Sequence, residues 1–171
     1  RNARALMISA IRDPDPVVFM EPKAIYRAYR EEVPEEEESL PIGEAAVVQP
    51  GSDLTLIAWG AMLRPSLRAA EEVQKRRGVQ IELIDLRTIA PLDGQTIVDS
   101  VTRTGRAVVV QEAPKSLGVS SEIIARINDG ALLYLEAPVE RVTGFDVVTP
   151  YFGREKHYLP DSGRIARAIE N

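Results

Sequence analysis

The chain has 171 residues, 44% of them hydrophobic and 27% charged, with a formal net charge of −5. That is material for one core of ordinary size, and the acidic balance argues against nucleic acid as the main partner, because phosphate binding calls for a basic face. Cysteine is absent, which excludes disulfides, a thiolate nucleophile and a Cys-held metal and fits a reducing cytoplasm. No apolar run nears the roughly 18 residues of a membrane span, and no secretion signal is visible. The chain opens on Arg1, already in helical pattern, so truncation or processing is expected.

In chain order, residues 3–11 place Ala5, Leu6, Ile8 and Ile11 at helical spacings, and a helix ends near Arg12. Asp13-Pro14-Asp15-Pro16 must turn, since each proline pushes its predecessor out of the α region. Val17–Met20 reads as a buried apolar strand, stopped by Glu21-Pro22. A linker follows over 23–42, with six glutamates between Glu31 and Glu38. It reads as a solvated, self-repelling connector, with a docking site for a basic partner as the sharper alternative. From Gly43 the pattern is regular. Strands are expected at Ala45–Val48 and Leu54–Trp59 around the turn Pro50-Gly51-Ser52-Asp53. A helix spans 64–77 with Leu67, Ala70, Val73 and Gln74 on one face, and Gly78 stops it. Val79–Leu86 alternates as a strand. Pro91-Leu92-Asp93 opens a helix to about Thr102. Ala107–Val110 is a buried strand, 119–128 a helix, Val139–Val142 a strand and 161–169 a last helix. Alternating strands and helices predict an α/β fold with a mostly parallel sheet.

Familiar catalytic constellations are missing. There is no nucleophile elbow, no phosphate loop and no dinucleotide fingerprint, since the glycines are scattered singly. The one histidine, His157, falls in a polar stretch and reads as a surface residue rather than a catalyst. Trp59-Gly60 ends a strand, where ligands sit in α/β sheets, though packing of Trp59 under the next helix explains it as well. Asp85, Glu112, Glu136 and Asp146 stand at strand ends, and structural pairing with an arginine such as Arg87 or Arg141 is the expected role. Asp13 and Asp15 flank a proline in a sharp loop of the kind that can hold a hard cation.

The motifs SAIRDPDPVVFMEP, YRAYREEVPEE, LTLIAWGAM, IDLRTIAPLD, TGRAVVVQEAP and EAPVERVTGFDVVTPY, in that order, resemble the beta subunit of the thiamine-dependent 2-oxo acid dehydrogenases. This family comprises the decarboxylating components of the pyruvate and branched-chain complexes. The resemblance runs from about residue 3 to the C-terminus. One departure is APKSLGVSSEI, where Leu117 and Ser120 replace small or glycine residues.

The resemblance implies a three-layer α/β/α transketolase C-terminal-type domain over 43–171. Residues 1–22 would then be a remnant of the pyrimidine-binding domain, joined to it by the linker. It implies thiamine diphosphate and magnesium in the full α2β2 enzyme, and a chain that is catalytically silent alone. Its partners would be an alpha subunit, a second beta subunit and the peripheral subunit-binding domain of the dihydrolipoyl acyltransferase. That small basic domain would meet Glu136 and the C-terminal carboxylate of Asn171. A potassium site would map onto Ala10, Ile11, Asp13 and Asp15, with a further ligand upstream of this chain. The setting would be the cytoplasm, or the mitochondrial matrix in a eukaryote. Helix 119–128, with Val119, Ile123, Ile124 and Ile127, would supply core or interface. An exposed strand at 17–20 would drive dimerisation or non-native pairing. Alternatives are another transketolase-type enzyme, such as transketolase or deoxyxylulose phosphate synthase, and a non-catalytic interaction module.

Overall fold

The computed structural model describes residues 1–171. Five strands form one sheet in the order β1-β3-β2-β4-β5. They are β1 (Ala46–Gln49), β2 (Leu54–Ala58), β3 (Ile81–Asp85), β4 (Ala107–Pro114) and β5 (Glu140–Gly144). The last four run parallel, and β1 lies antiparallel on the β3 edge. The turn at 50–53 therefore does not make a hairpin. β1 pairs with β3, and β2 takes the far side of β3. Asp53 fixes this arrangement locally, because its Oδ2 accepts the Gln80 N–H at 2.8 Å at the entry to β3.

The helices are α1 (Asn2–Arg12), α2 (Leu63–Arg77), α3 (Gly94–Thr104), α4 (Val119–Ala131), the single-turn α5 (Glu155–Tyr158) and α6 (Ser162–Glu170). Gly78 ends α2 and Gly105 ends α3, both left-handed, a conformation that costs glycine least. Asp93 and Asp161 cap α3 and α6 by accepting from the backbones of Thr96 and Arg164.

Strand alternation divides the core in two. Leu54, Leu56 and Ala58 of β2 turn to one face with Ile81 and Leu83 of β3 and Val108 and Val110 of β4, against α2 and α6. Ile57, Ile84 and Val109 turn to the other, against Ile97 and Val101 of α3 and Ile123 and Ile127 of α4. This is a three-layer α/β/α sandwich, as expected. β3 is buried at every position, although its sequence alternates, because both of its faces are covered. Its one mid-strand charge, Glu82, is part of a buried polar chain. Ser100 Oγ donates to Glu82 Oε1 at 2.6 Å, Arg103 pairs with the same oxygen, and Thr55 Oγ1 lies 2.6 Å from Ser100 Oγ and 2.7 Å from Thr104 Oγ1.

Several expectations are corrected. Trp59 is half-buried against the α3/α4 face, not under α2, because alternation from Ile57 sends it to that side. On α2, the buried positions are Ser66, Ala69, Ala70 and Val73, and Leu67 is exposed. On α4, Ile123 and Ile127 are core as expected, and only Ile124 departs, being partly buried.

Val17–Met20 is not a strand. No strand pairs with it, and Val18 and Met20 are 85% and 84% exposed. An extended apolar run becomes a strand only when a neighbouring strand accepts its backbone hydrogen bonds. The glutamate-rich stretch is not free of contacts either. Arg4 donates to the carbonyl oxygens of Pro34 at 2.6 Å and Glu36 at 3.1 Å, Arg1 pairs with Glu31 and Glu38, and Arg12 with Glu37. These pairs are solvent-exposed, so each contributes little, and the stretch remains a hydrated surface.

Candidate functional site

At the carboxyl end of the parallel strands, β2 is flanked by β3 on one side and β4 on the other, so the order in which successive strands join the sheet reverses there. Ligands of open α/β sheets bind at such a crevice. Here part of it is closed by the chain itself. A methyl group at Gly60 would lie 3.4 Å from Pro22, and the Arg64 guanidinium stacks 3.6 Å over the Tyr29 ring. Residues 22–29 thus cross the end of β2 and the start of α2.

The strand-end acids do not pair with Arg87 or Arg141. Asp85 Oδ1 accepts the Arg87 backbone N–H at 3.1 Å, and burial pushes its carboxyl above the ordinary range. Glu112 is also pushed up, by desolvation and then by the nearby Glu155 carboxylate. Asp146 accepts from Ser116 N at 2.9 Å and Ser116 Oγ at 2.8 Å. These bonds tie the loops after β4 and β5 together and hold its pKa down. Arg141 donates to Lys115 O and Ser121 Oγ instead. Asp85 and Asp146 take backbone and hydroxyl donors instead of an arginine, whereas Glu136 keeps the expected kind of pairing, with Arg106. His157 lies exposed on α5.

Glu136 stands at the opposite, amino end of the sheet. Its backbone N–H donates to Gly105 O at 2.8 Å, and its Oε2 pairs with Arg106 at 3.1 Å, leaving Oε1 toward solvent. Beside it runs a shallow groove of about 510 Å³ between α4 and residues 132–139, lined by Ile124, Asn128, Leu132, Leu135 and Val139. Asn171 follows α6. That helix starts near the carboxyl end of β5, where Arg164 Nη2 donates to Thr143 O at 2.6 Å. It finishes where Glu170 meets Arg76 at 2.7 Å and Arg77 at 3.1 Å, at the end of α2. Glu136 and the C-terminus therefore share the amino end of the sheet.

The loop after α1 has unspent acceptors. The Ala10 carbonyl would take its helical bond from Pro14, which has no N–H. The Ile11 carbonyl would take it from Asp15, whose N–H donates to Asp13 Oδ1 at 2.9 Å instead. Two free carbonyls and two carboxylates thus lie within six residues, and a groove of about 430 Å³ lined by Ser9, Asp13, Pro14 and Leu40 adjoins them. No group of three or more His, Asp or Glu side chains converges to hold a metal ion. The residues present do not fit the diphosphate-bound magnesium of a thiamine enzyme.

Residues 43–165 match the family model of the transketolase C-terminal domain. The chain belongs to that family. Its transketolase C-terminal domain shares its fold with a split-gene transketolase solved as an inactive beta4 tetramer. The TM-score is 0.68 over 82% of this chain and 44% of that one, at 24% identity. Among curated relatives, the pyruvate dehydrogenase E1 component subunit beta of Bacillus subtilis is 51% identical over 94% of this chain and 49% of its own length. The same-named protein of Acholeplasma laidlawii is 46% identical over 98% of this chain and 51% of its length. That of Staphylococcus aureus is 48% identical over 96% and 50%. The chain spans about half the length of the curated relatives it matches. The IDLRTIAPLD and EAPVERV motifs lie within the matched domain.

Sequence reasoning missed Arg106, the partner of Glu136, and the Glu82 network. A glutamate inside the apolar run IELID was the available signal for the second. Nothing local marked the first.

Proposed function

We propose that this chain is the carboxyl-terminal part of the beta subunit of a thiamine-diphosphate-dependent 2-oxo acid dehydrogenase. Such an enzyme oxidatively decarboxylates a 2-oxo acid and acylates lipoyl groups. The observation that carries the proposal is identity near one half, over nearly the whole chain, to proteins named pyruvate dehydrogenase E1 component subunit beta. The pyruvate type is preferred to the branched-chain (2-oxoisovalerate) type because those relatives carry the pyruvate name. On this reading thiamine diphosphate and magnesium are held by other parts of an α2β2 assembly, and this chain serves assembly and docking. Residues 1–22 belong to the preceding pyrimidine-binding domain, 23–42 to the linker and 43–171 to the C-terminal domain. The free carbonyls of Ala10 and Ile11 beside Asp13 and Asp15 support a potassium site completed from upstream.

The docking partner is the small basic peripheral subunit-binding domain of the dihydrolipoyl acyltransferase. Glu136 presents one free carboxylate oxygen at the same end of the sheet as Asn171, and the chain is acidic overall. Opposite charges steer such an encounter and make it salt-sensitive. Calorimetric titration of this chain with that domain, at low and high salt, tests it. Binding that weakens with salt and is lost in Glu136→Ala is the expected result. Binding that is equal in the variant removes Glu136 from the interface.

A further inference from the structure

Arg87 is held in a strained backbone conformation, yet its guanidinium forms no hydrogen bond or ion pair within the chain and acts only as a charge near Asp85. Its backbone is left-handed, with φ 57, in a three-residue turn closed by a hydrogen bond from Thr88 N to Leu86 O. A non-glycine residue persists there only where its surroundings over-determine it. They do: Arg87 N donates to Asp85 Oδ1, and the Thr88 hydroxyl accepts from Gly43 N at 3.1 Å and donates to Pro91 O at 3.0 Å. The side chain so presented is half-buried and makes no hydrogen bond or ion pair. Its Nε is fully buried without a partner. A buried donor left unsatisfied is costly, and a guanidinium more so.

The surroundings indicate what completes it. Arg87 follows β3 at the carboxyl end of the sheet. It is flanked by the half-buried Trp59 at the end of the adjacent β2 and by exposed Ile89, Ala90 and Pro91. An arginine set among tryptophan and aliphatic surface is the composition of a protein–protein hot spot. The planar fork of arginine matches a carboxylate at two points.

We propose that Arg87 is a recognition residue that receives an Asp or Glu carboxylate from a neighbouring subunit across the carboxyl end of the sheet. This rests on the reading that the chain works within an α2β2 assembly. The test co-expresses the complete beta subunit with its alpha partner, as wild type, Arg87→Gln and Arg87→Lys, and measures subunit association by sedimentation velocity. Thermal unfolding of this chain alone is followed in parallel. Arg87→Gln is expected to weaken association on the order of tenfold or more. Arg87→Lys should fall between, keeping the charge without the fork, and neither substitution should lower the melting temperature of the chain alone. Unchanged association in Arg87→Gln, with the wild type assembling, overturns the role of Arg87 and leaves the assembly reading standing. A marked fall in melting temperature shows that the arginine is satisfied within its own chain and also overturns it. Wild-type subunits that do not associate overturn the assembly reading, and the proposal with it.

Discussion

Two neighbouring residues at the end of β3 show how a single side chain is governed by surroundings that its position in the motif IDLRT does not disclose. Asp85 and Arg87 are two apart and opposite in charge, yet the fold spends the carboxylate on a backbone N–H and leaves the guanidinium free. Burial is the first cause of the raised Asp85 pKa, and the Arg87 N–H and charge only partly offset it. The folded state therefore prefers the protonated acid. A raised folded pKa contributes stability that is complete below the unfolded value, near 4, and is lost as pH rises through the folded value. Asp85→Asn keeps an oxygen for the Arg87 N–H and removes the charge. It is expected to stabilise the chain at neutral pH, with the difference vanishing below about pH 4. Urea unfolding across that range measures it. A variant less stable at pH 7 would mean that the Arg87 field outweighs burial.

At the scale of elements, α3 is tied at both ends to other parts of the sheet. Asp93 caps it through Thr96 and also accepts the Ala45 N–H at 2.9 Å, joining the helix start to the β1 edge. Burial pushes the Asp93 carboxyl up, but these hydrogen bonds outweigh it and the pKa is lowered. Its stability is thus present above the unfolded pKa and lost as pH falls through the folded one. Asp93→Ala should cost about 1–2 kcal/mol at neutral pH and less in acid, read by chemical denaturation. Further along the same helix, Ser100 and Thr104 meet Thr55 in the buried chain that ends on Glu82. Thr55→Val preserves shape and strips one member from that chain. A loss of about 1–3 kcal/mol is expected, and a neutral result would show that Ser100 and Thr104 re-pair without it. The helix and strand positions were legible from apolar periodicity, from Gly78 and from Asp93. The partners of β1 and the face of Trp59 were not, because both depend on which strand lies beside which.

For the whole molecule, the proposed function predicts a division of labour. A thiamine enzyme needs a carboxylate on the pyrimidine nitrogen and a metal on the diphosphate, and no convergent ligand set for that metal is present in these residues. Purified chain with thiamine diphosphate and magnesium should release no carbon dioxide from pyruvate above the protein-free rate, measured by coupled assay. Turnover would refute the proposed division between this chain and the rest of the enzyme. Of the candidate site, Glu136 and the Asp13–Asp15 loop were singled out because they sit in extended motifs whose order carries a family likeness. The groove beside Glu136, its pairing with Arg106 and its place at the same end as Asn171 were not. Sequence by itself determined the alternation of strand and helix, the buried identity of β2 and β4 and the family, since these depend on local periodicity and on residue order. Tertiary structure alone decided that Val17–Met20 is no strand, that β1 closes the β3 edge in reverse, and that Arg87 is left without a partner. Each of these turns on which groups are neighbours in space, and that is settled by packing between elements far apart in the chain.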